Sequence, residues 1–375
     1  MTKIQDLLSR TRIKPEEVSV RSGISADRLN ALQAGAEPSM AEVRRVADAL
    51  RVPLVDLMAP KPVERQADLL FRSSLQARAE SHEPVIAAFS KRMSYTFDLL
   101  RSEHPGPWWT ERFLAGDNTY SGAERNATTF RKIFYSDDQV GPIASLPRIA
   151  ADRMGVLLFA VDMVGVDGAS AYLDGRPFIF VSKRFAPRML FTLAHELGHL
   201  VAHHDPSRSF AVIDDQADDL ELLTHDGTDE AYAQAFASAL LMPSAGVGIA
   251  LKKIRELAKS VSNELGDIEI LYLARIFAVS FVAAARRCED LTLLPRGGAV
   301  SLNEALIKQF GSAEKRAEQL KLPPRPQIDF PTIPAPLLES AVQKIRAGEL
   351  SVGRASAILA ISIADLLAAN APTEH

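Results

Sequence analysis

Apolar residues recur at three-to-four spacing through Leu193, Leu197, Leu200 and Val201, so a helix is expected over Phe191 to Val201. Just upstream, Phe178-Ile179-Phe180-Val181 is a continuous apolar run of the length of a short buried strand. Runs bounded by Gly and Asp, at Val156 to Val161, around Ser170 to Leu173 and at Pro177 to Ser182, predict a small sheet ahead of that helix. Nearer the start, residues 1–58 read as five short helices. Ile4, Leu7 and Leu8 mark the first, and Pro15 opens the second at a favoured first-turn position. Ser22-Gly23-Ile24-Ser25 is a tight turn ending in an N-cap serine; a third helix runs from Ala26 to Gln33 and is expected to stop at Gly35. Pro38-Ser39 starts a fourth, with Val43, Val46, Ala47 and Leu50 on one face, and Val52-Pro53 starts a fifth.

Between these regions, Lys61 to Arg101 is helical in pattern and breaks at His104-Pro105-Gly106-Pro107. Trp108, Trp109 and Phe113 come next as core or domain-seam aromatics, and Ala144 to Met154 predicts a helix. Residues 244–289 and a stretch reaching Leu322 are helical, Pro323 to Pro336 reads as an extended linker, and the last helices flank Gly348. Ser351, Arg354-Ala355, Ile361-Ser362 and Leu366-Leu367 give this tail a helix-turn-helix look, and packing against the core or a partner chain is the equal alternative. The expected fold is α+β and mostly helical. A five-helix domain covers 1–60, a helical connecting region 61–140, a domain with a small sheet 141–290, and a helical C-terminal region 291–375 with the proline-rich linker near 323–336.

Composition narrows the function classes. A net charge of -4 exerts no global pull toward nucleic acid or anionic lipid, so any DNA contact must be local. The single cysteine, Cys288, excludes an intrachain disulfide framework and suits a reducing compartment. The longest apolar run, Ile276 to Ala285, falls short of the roughly 20 residues of a membrane span, and the start of the chain lacks the pattern of a secretory signal. A cytoplasmic protein with no membrane partner is expected.

The chemistry concentrates in His195-Glu196-Leu197-Gly198-His199. Residues four apart stack on one helix face with Cβ atoms about 5–6 Å apart, close enough for His195 and His199 to grip one ion. Imidazole suits zinc, and Glu196 would stand beside the ion as a base toward water, which is the His-Glu-x-x-His pattern of zinc peptidases. The alternative is a surface helix with scattered histidines. A tetrahedral ion needs at least one further protein ligand. His203, His204, Asp205, His225, Asp229 and Glu230 are candidates, and spacing alone does not choose among them, although His203 is two helical turns from His195 and too distant. The acidic run Asp214, Asp215, Asp218, Asp219 and Glu221 reads as a solvated loop, with repulsion of acidic peptides or binding of a basic one as the alternative. His203, His204, His225 and Tyr232 are candidate oxyanion stabilisers.

Two resemblances extend this reading. Glu17-Val18, Ser22-Gly23-Ile24-Ser25, Leu29, Leu32, Gly35, Pro38 and Val46-Ala47-Asp48-Ala49-Leu50 resemble the Cro/cI-type (XRE) helix-turn-helix domain. That resemblance implies DNA contacts from Ser25, Ala26, Asp27, Arg28 and Asn30, of which Arg28 and Asn30 are types that reach guanine or adenine edges. Pro15 stands where the family usually carries a phosphate-contacting glutamine, and Asp27 adds a negative charge. Residues 1–60 hold nine Lys/Arg against eight Asp/Glu, which fits weak binding or binding through a homodimer, and a helical bundle that contacts protein is the alternative.

The segment Glu230-Ala231-Tyr232-Ala233-Gln234-Ala235-Phe236-Ala237-Ser238-Ala239-Leu240-Leu241-Met242-Pro243 is similar to the second signature of the ImmA/IrrE metallopeptidases, as are Arg188, Phe191-Thr192-Leu193-Ala194 and Val279-Ser280. Gln234 departs from the family's usual Asn, Asp or His. The resemblance implies a zincin-like, gluzincin-like domain with Glu230 as third ligand beside His195 and His199, Zn2+ as cofactor (Mn2+ as the alternative) and Glu196 as base. It further implies a DNA-associated transcription regulator that cleaves a partner repressor or toxin–antitoxin protein. The competing reading is a regulator or antitoxin whose peptidase-like domain senses a ligand or metal without turnover.

Overall fold

Four strands form one mixed sheet in the computed structural model, which describes residues 15–34, 36, 38–50, 67–68, 70–71, 83–100, 106–113, 117–202, 209–215, 228–258, 264–359 and 361–370. The chain divides into two units, Met1–Gln66 and Ala67–His375.

In the first unit, α1 (Pro15–Ser22), α2 (Ala26–Gln33) and α3 (Met40–Leu50) enclose Val18, Ile24, Leu29, Leu32, Val43, Val46 and Ala47. The α1–α2 turn is closed twice: the Ser19 hydroxyl donates to the Ile24 carbonyl at 2.6 Å, and Ser25 caps α2 by accepting from the Arg28 amide at 3.3 Å. Glu42 has two tasks. With Ser39 it forms a capping box at the start of α3, and its carboxylate also receives Nε and Nη2 of Arg28 at 2.7 and 3.2 Å. The expected helix at Ile4–Leu8, the Gly35 cap and the helix from Val52-Pro53 lie outside the described residues.

The second unit is built around β1 (Leu157–Val161), β2 (Val166–Leu173), β3 (Arg176–Ser182) and β4 (Phe210–Asp215), in the order β1-β3-β2-β4. β1 runs parallel to β3, and β2 is antiparallel to both β3 and β4. Its helices are α4 (Glu83–Leu99), α5 (Tyr120–Phe134), α6 (Ala186–Ala202), α7 (Asp229–Leu241), α8 (Ser244–Ala258), α9 (Asp267–Ile276), α10 (Phe281–Asp290), α11 (Gly298–Phe310), α12 (Ala313–Gln319), α13 (Ala335–Arg346), α14 (Val352–Leu359) and α15 (Ile363–Asn370). β3 is buried throughout because both faces are covered. Ile179 and Val181 join the core around α6, while Phe180 and Phe178 meet Phe89 and Phe97 of α4, with ring centroids 4.2 and 6.0 Å apart.

The expected strands are present with small shifts, and an unexpected fourth strand, β4, takes in Asp214 and Asp215, the first two acids of the run expected as a solvated loop. The Ala144–Met154 helix is broken into a turn, Leu146–Arg148, followed by a π turn, Ile149–Arg153. Trp109 and Phe113 are core, and the Trp109 indole donates to the Met154 carbonyl, whereas Trp108 is exposed. The proline-rich stretch is extended as expected but is strapped to the domain: Ile328 and Phe330 pack on the core, and Arg325 pairs with Glu314 and covers the Phe185 ring. In the tail, Ser356 donates to the Ile361 carbonyl at 2.6 Å and Ser362 caps α15, repeating bond for bond the turn at Ser19, Ile24 and Ser25. Among the described residues no single helix is long and apolar enough to cross a membrane.

The pairing of α6 with α7 fixes where the polar side chains of both helices stand. It depends on Gly198, where an added Cβ would lie 2.9 Å from Ala233 Cα. Behind α7, the buried Arg131 of α5 donates twice to the Leu240 carbonyl, at 2.8 and 2.6 Å, and so meets the negative end of the helix. Gly198→Ala is therefore expected to lower unfolding stability by about 1–3 kcal/mol in denaturant titration, the range for overpacking a tight core. An unchanged midpoint would show that the two helices have slack.

Candidate metal centre

Three elements converge on one point. α6 supplies His195 and His199, whose Nε2 atoms stand 3.1 Å apart, as the four-residue spacing allows. α7 is capped by Thr228, which accepts from the Ala231 amide, and this cap places Glu230 in the first turn, where the helix dipole favours a carboxylate. Glu230 Oε2 lies 3.3 Å from His195 Nε2, and its Oε1 lies 3.5 Å from His199 Nε2. β4 supplies Asp214, whose Oδ2 is 2.9 Å from His195 Nε2 and whose Oδ1 is 3.8 Å from His199 Nε2. One donor atom from each of the four residues falls within 4.8 Å of the others.

These spacings fit a small cation. A tetrahedron with bonds of roughly 2.0–2.1 Å has edges of about 3.3–3.4 Å. Taken to the nearer oxygen of each carboxylate, the five separations run from 2.9 to 3.8 Å around that edge, and with one atom from each residue the spread reaches at most 4.8 Å. Two facing imidazoles and two facing carboxylates also make a donor set that a divalent ion would satisfy and that without one must be held by protons. Burial would lower the proton affinity of His195, but the charges of Asp214 and then Glu230 outweigh it and hold this imidazole well above its ordinary range. Burial likewise opposes ionisation of Asp214 and Glu230, and the adjoining histidines keep both carboxyls below the usual carboxylate range. Approach from solvent is on the Glu230 side, since that side chain is half exposed while His199 is 1% exposed.

Glu196 is fully buried and faces β2. Space for it exists because position 168 is glycine: a Cβ there would fall 2.2 Å from Glu196 Oε1. Neither Glu196 oxygen closes a hydrogen bond of normal geometry, although Ser170 and Asp214 lie alongside. Burial, and then the negative charge of Asp214, push the Glu196 carboxyl well above its usual range. Beside it the β2–β4 register slips. Val166 pairs with Asp215 and Gly168 with Asp214, leaving Asp167 as the extra residue of a bulge. Asp167 is held by Arg184 and Arg188 at 2.8 and 2.7 Å.

The expected His195, His199 and Glu230 thus come together with Glu196 adjoining. Asp214 is a correction: it is not part of a solvated loop but the fourth member of the cluster, on a strand that the sequence pattern did not single out. Tyr232 is also corrected. Its hydroxyl accepts from Asn126 at 2.7 Å and its ring stacks on Phe236 in the core, which removes it as an oxyanion stabiliser. Asp229 turns to Asn118 instead. His203, His204, Asp205, His225, Asp218, Asp219 and Glu221 lie outside the described residues. Of the positions expected to meet DNA, Asp27 and Asn30 are exposed, Ser25 is the cap, Ala26 is half-buried, and the Arg28 guanidinium is paired with Glu42.

Residues 151–289 match the family model of the IrrE N-terminal-like domain, Peptidase_M78. The match runs from the start of the sheet through α6 and α7 to α10. No curated protein matches the chain.

His195→Ala and Glu230→Ala are each expected to weaken divalent-metal binding by more than about 100-fold in competition titrations, beyond the loss of an outer-shell partner. Gly168→Ala, which crowds Glu196 and the Thr192 methyl but none of the four donors, should leave metal stoichiometry unchanged. Full metal affinity in Glu230→Ala would remove that residue from the donor set.

Proposed function

We propose that the second unit is a zinc-dependent endopeptidase and that the chain as a whole is a DNA-associated regulator which cleaves a partner protein of repressor or toxin–antitoxin type. The observation that carries the peptidase reading is the buried carboxylate of Glu196 beside four converging metal donors. Zinc, or manganese in its place, would polarise a substrate carbonyl and lower the pKa of water toward neutrality. His195, His199 and Glu230 would hold the ion. Glu196, whose surroundings raise its proton affinity, takes the proton from the attacking water on a carboxylate oxygen and returns it to the leaving amine. Gly168 and Ser170 of β2 line that carboxylate and keep bulk water from it. The match to a peptidase domain over 151–289 supports the same class of reaction.

The second reading is a regulator that senses metal without turnover. Asp214 favours it, because a fourth protein donor is what closed, structural metal sites have. The Glu196 carboxylate favours the peptidase, since a sensor needs ligands but no base. Glu196→Gln is expected to retain metal while lowering cleavage of a peptide library, followed by mass spectrometry, by about 10²–10⁴-fold. Removing the metal with a chelator should abolish the same products. Equal cleavage by Glu196→Gln and wild type would remove Glu196 as the base, and metal binding without any chelator-sensitive cleavage by wild type would favour the sensor.

For the first unit, support for a DNA-binding head comes from the capped turn between α1 and α2 and from exposed Asn30 on α2. With Arg28 engaged by Glu42, Asn30 carries base recognition. Asn30→Ala is expected to cost about 1–3 kcal/mol of discrimination, and Arg28→Ala less, in anisotropy titrations against a site selected from random DNA. A larger loss from Arg28→Ala would show that its guanidinium leaves Glu42 for DNA.

A further inference from the structure

Asp214 stands apart from the other donors in three ways. It comes from the last pairs of β4, beside the bulge at Asp167, where a bulge re-aims side chains and ends a ladder. It faces His195 and His199 on one side and adjoins Glu196 on the other, in the space that a water or a substrate carbonyl must enter to reach both the ion and the base. Neither of its oxygens closes a hydrogen bond of normal geometry although the side chain is largely buried, a state that a cation would relieve.

We propose that Asp214 is a removable fourth ligand that holds the centre latent, and that hydrolysis requires its carboxylate to withdraw. This rests on the peptidase reading. With a divalent ion, neutral His195 and His199 and ionised Glu230 leave one positive charge, and Asp214 cancels it. The carboxylate therefore both fills the open position and weakens the field that activates water. It is tethered and already aimed, so it competes at a high effective concentration against neutral donors from solution. Withdrawal is local. Only the terminal pairs, Gly168 with Asp214 and Val166 with Asp215, need to part, and the rest of β4 stays in register. In the exchange one carboxylate oxygen leaves, one solvent or substrate oxygen takes its place, and no covalent bond changes. Activity is then scaled by the open fraction, so a partner that pulls β4 aside would switch the enzyme on.

The full chain loaded with Co2+ provides the test, with acetohydroxamate as the probe and the visible Co2+ spectrum as the readout. Wild type, Asp214→Ala and the near-isosteric Asp214→Asn should each hold one ion. Acetohydroxamate should alter the Asp214→Ala spectrum at a concentration lower by about tenfold or more than wild type needs. Added acetate should return that variant toward the wild-type spectrum, and its peptide cleavage should rise by a similar factor. Equal acetohydroxamate uptake by wild type and variant would overturn the proposal. So would loss of the ion from both Asp214 variants as complete as from His195→Ala, since Asp214 would then be a permanent ligand. If Asp214→Ala opens to acetohydroxamate but cleaves nothing, the removable ligand stands and the peptidase reading falls.

Discussion

The second unit depends on the close approach of α6 and α7. Two imidazoles on one helix need a further donor from another element to hold an ion firmly, and Glu230 supplies it because Gly198 lets the backbones come together at Ala233. Small residues along α7 and the Arg131 guanidinium at its far end fix that helix from behind. The electrostatics are a consequence of the packing. Buried His195 keeps a high proton affinity only because carboxylates stand within hydrogen-bond reach, so the cluster is coherent with a cation or with protons and unstable without either.

The sheet serves the same point from the opposite side. Gly168, Ser170 and Tyr172 of β2 pair with Asp214, Val212 and Phe210 of β4, and alternation puts both sets on the face toward α6. Gly168 leaves room for Glu196, the bulge at Asp167 turns the strand end inward, and Arg184 with Arg188 neutralises the bulged carboxylate. The other face of the sheet is closed by the phenylalanines of α4, so β3, behind α6, is covered on both sides.

The two serine-closed turns, one in each unit, show how the same local chemistry serves different surfaces. In the first, Asp27 and Asn30 are exposed on the helix that comes after the turn; in the second, Ile363 and Leu367 are exposed. The resemblance between the turns lies in Ser19 with Ser356 and Ser25 with Ser362, and it does not extend to the residues that would meet a partner.

Periodicity and capping are local properties, and they were legible in the residues alone. Leu193, Leu197 and Leu200 announced α6, Phe178 to Val181 announced β3, and Ser25 announced the start of α2. The His195, Glu196 and His199 register declared a metal chemistry, and Glu230 came from resemblance to a family signature. Other features needed the closed fold. α5 was not singled out within the helical connecting region because, of its seven buried residues, only Phe130 and Phe134 are large and apolar, beside Gly122, Ala123, Asn126, Ala127 and Arg131. β4 ends in two acids that merge with an acidic run, so it looked like loop. Asp214 became a site residue only through its pairing with Gly168, and Arg28 met Glu42 only when α2 and α3 packed. Those outcomes depend on which distant segments meet, and no periodicity within a single segment encodes that.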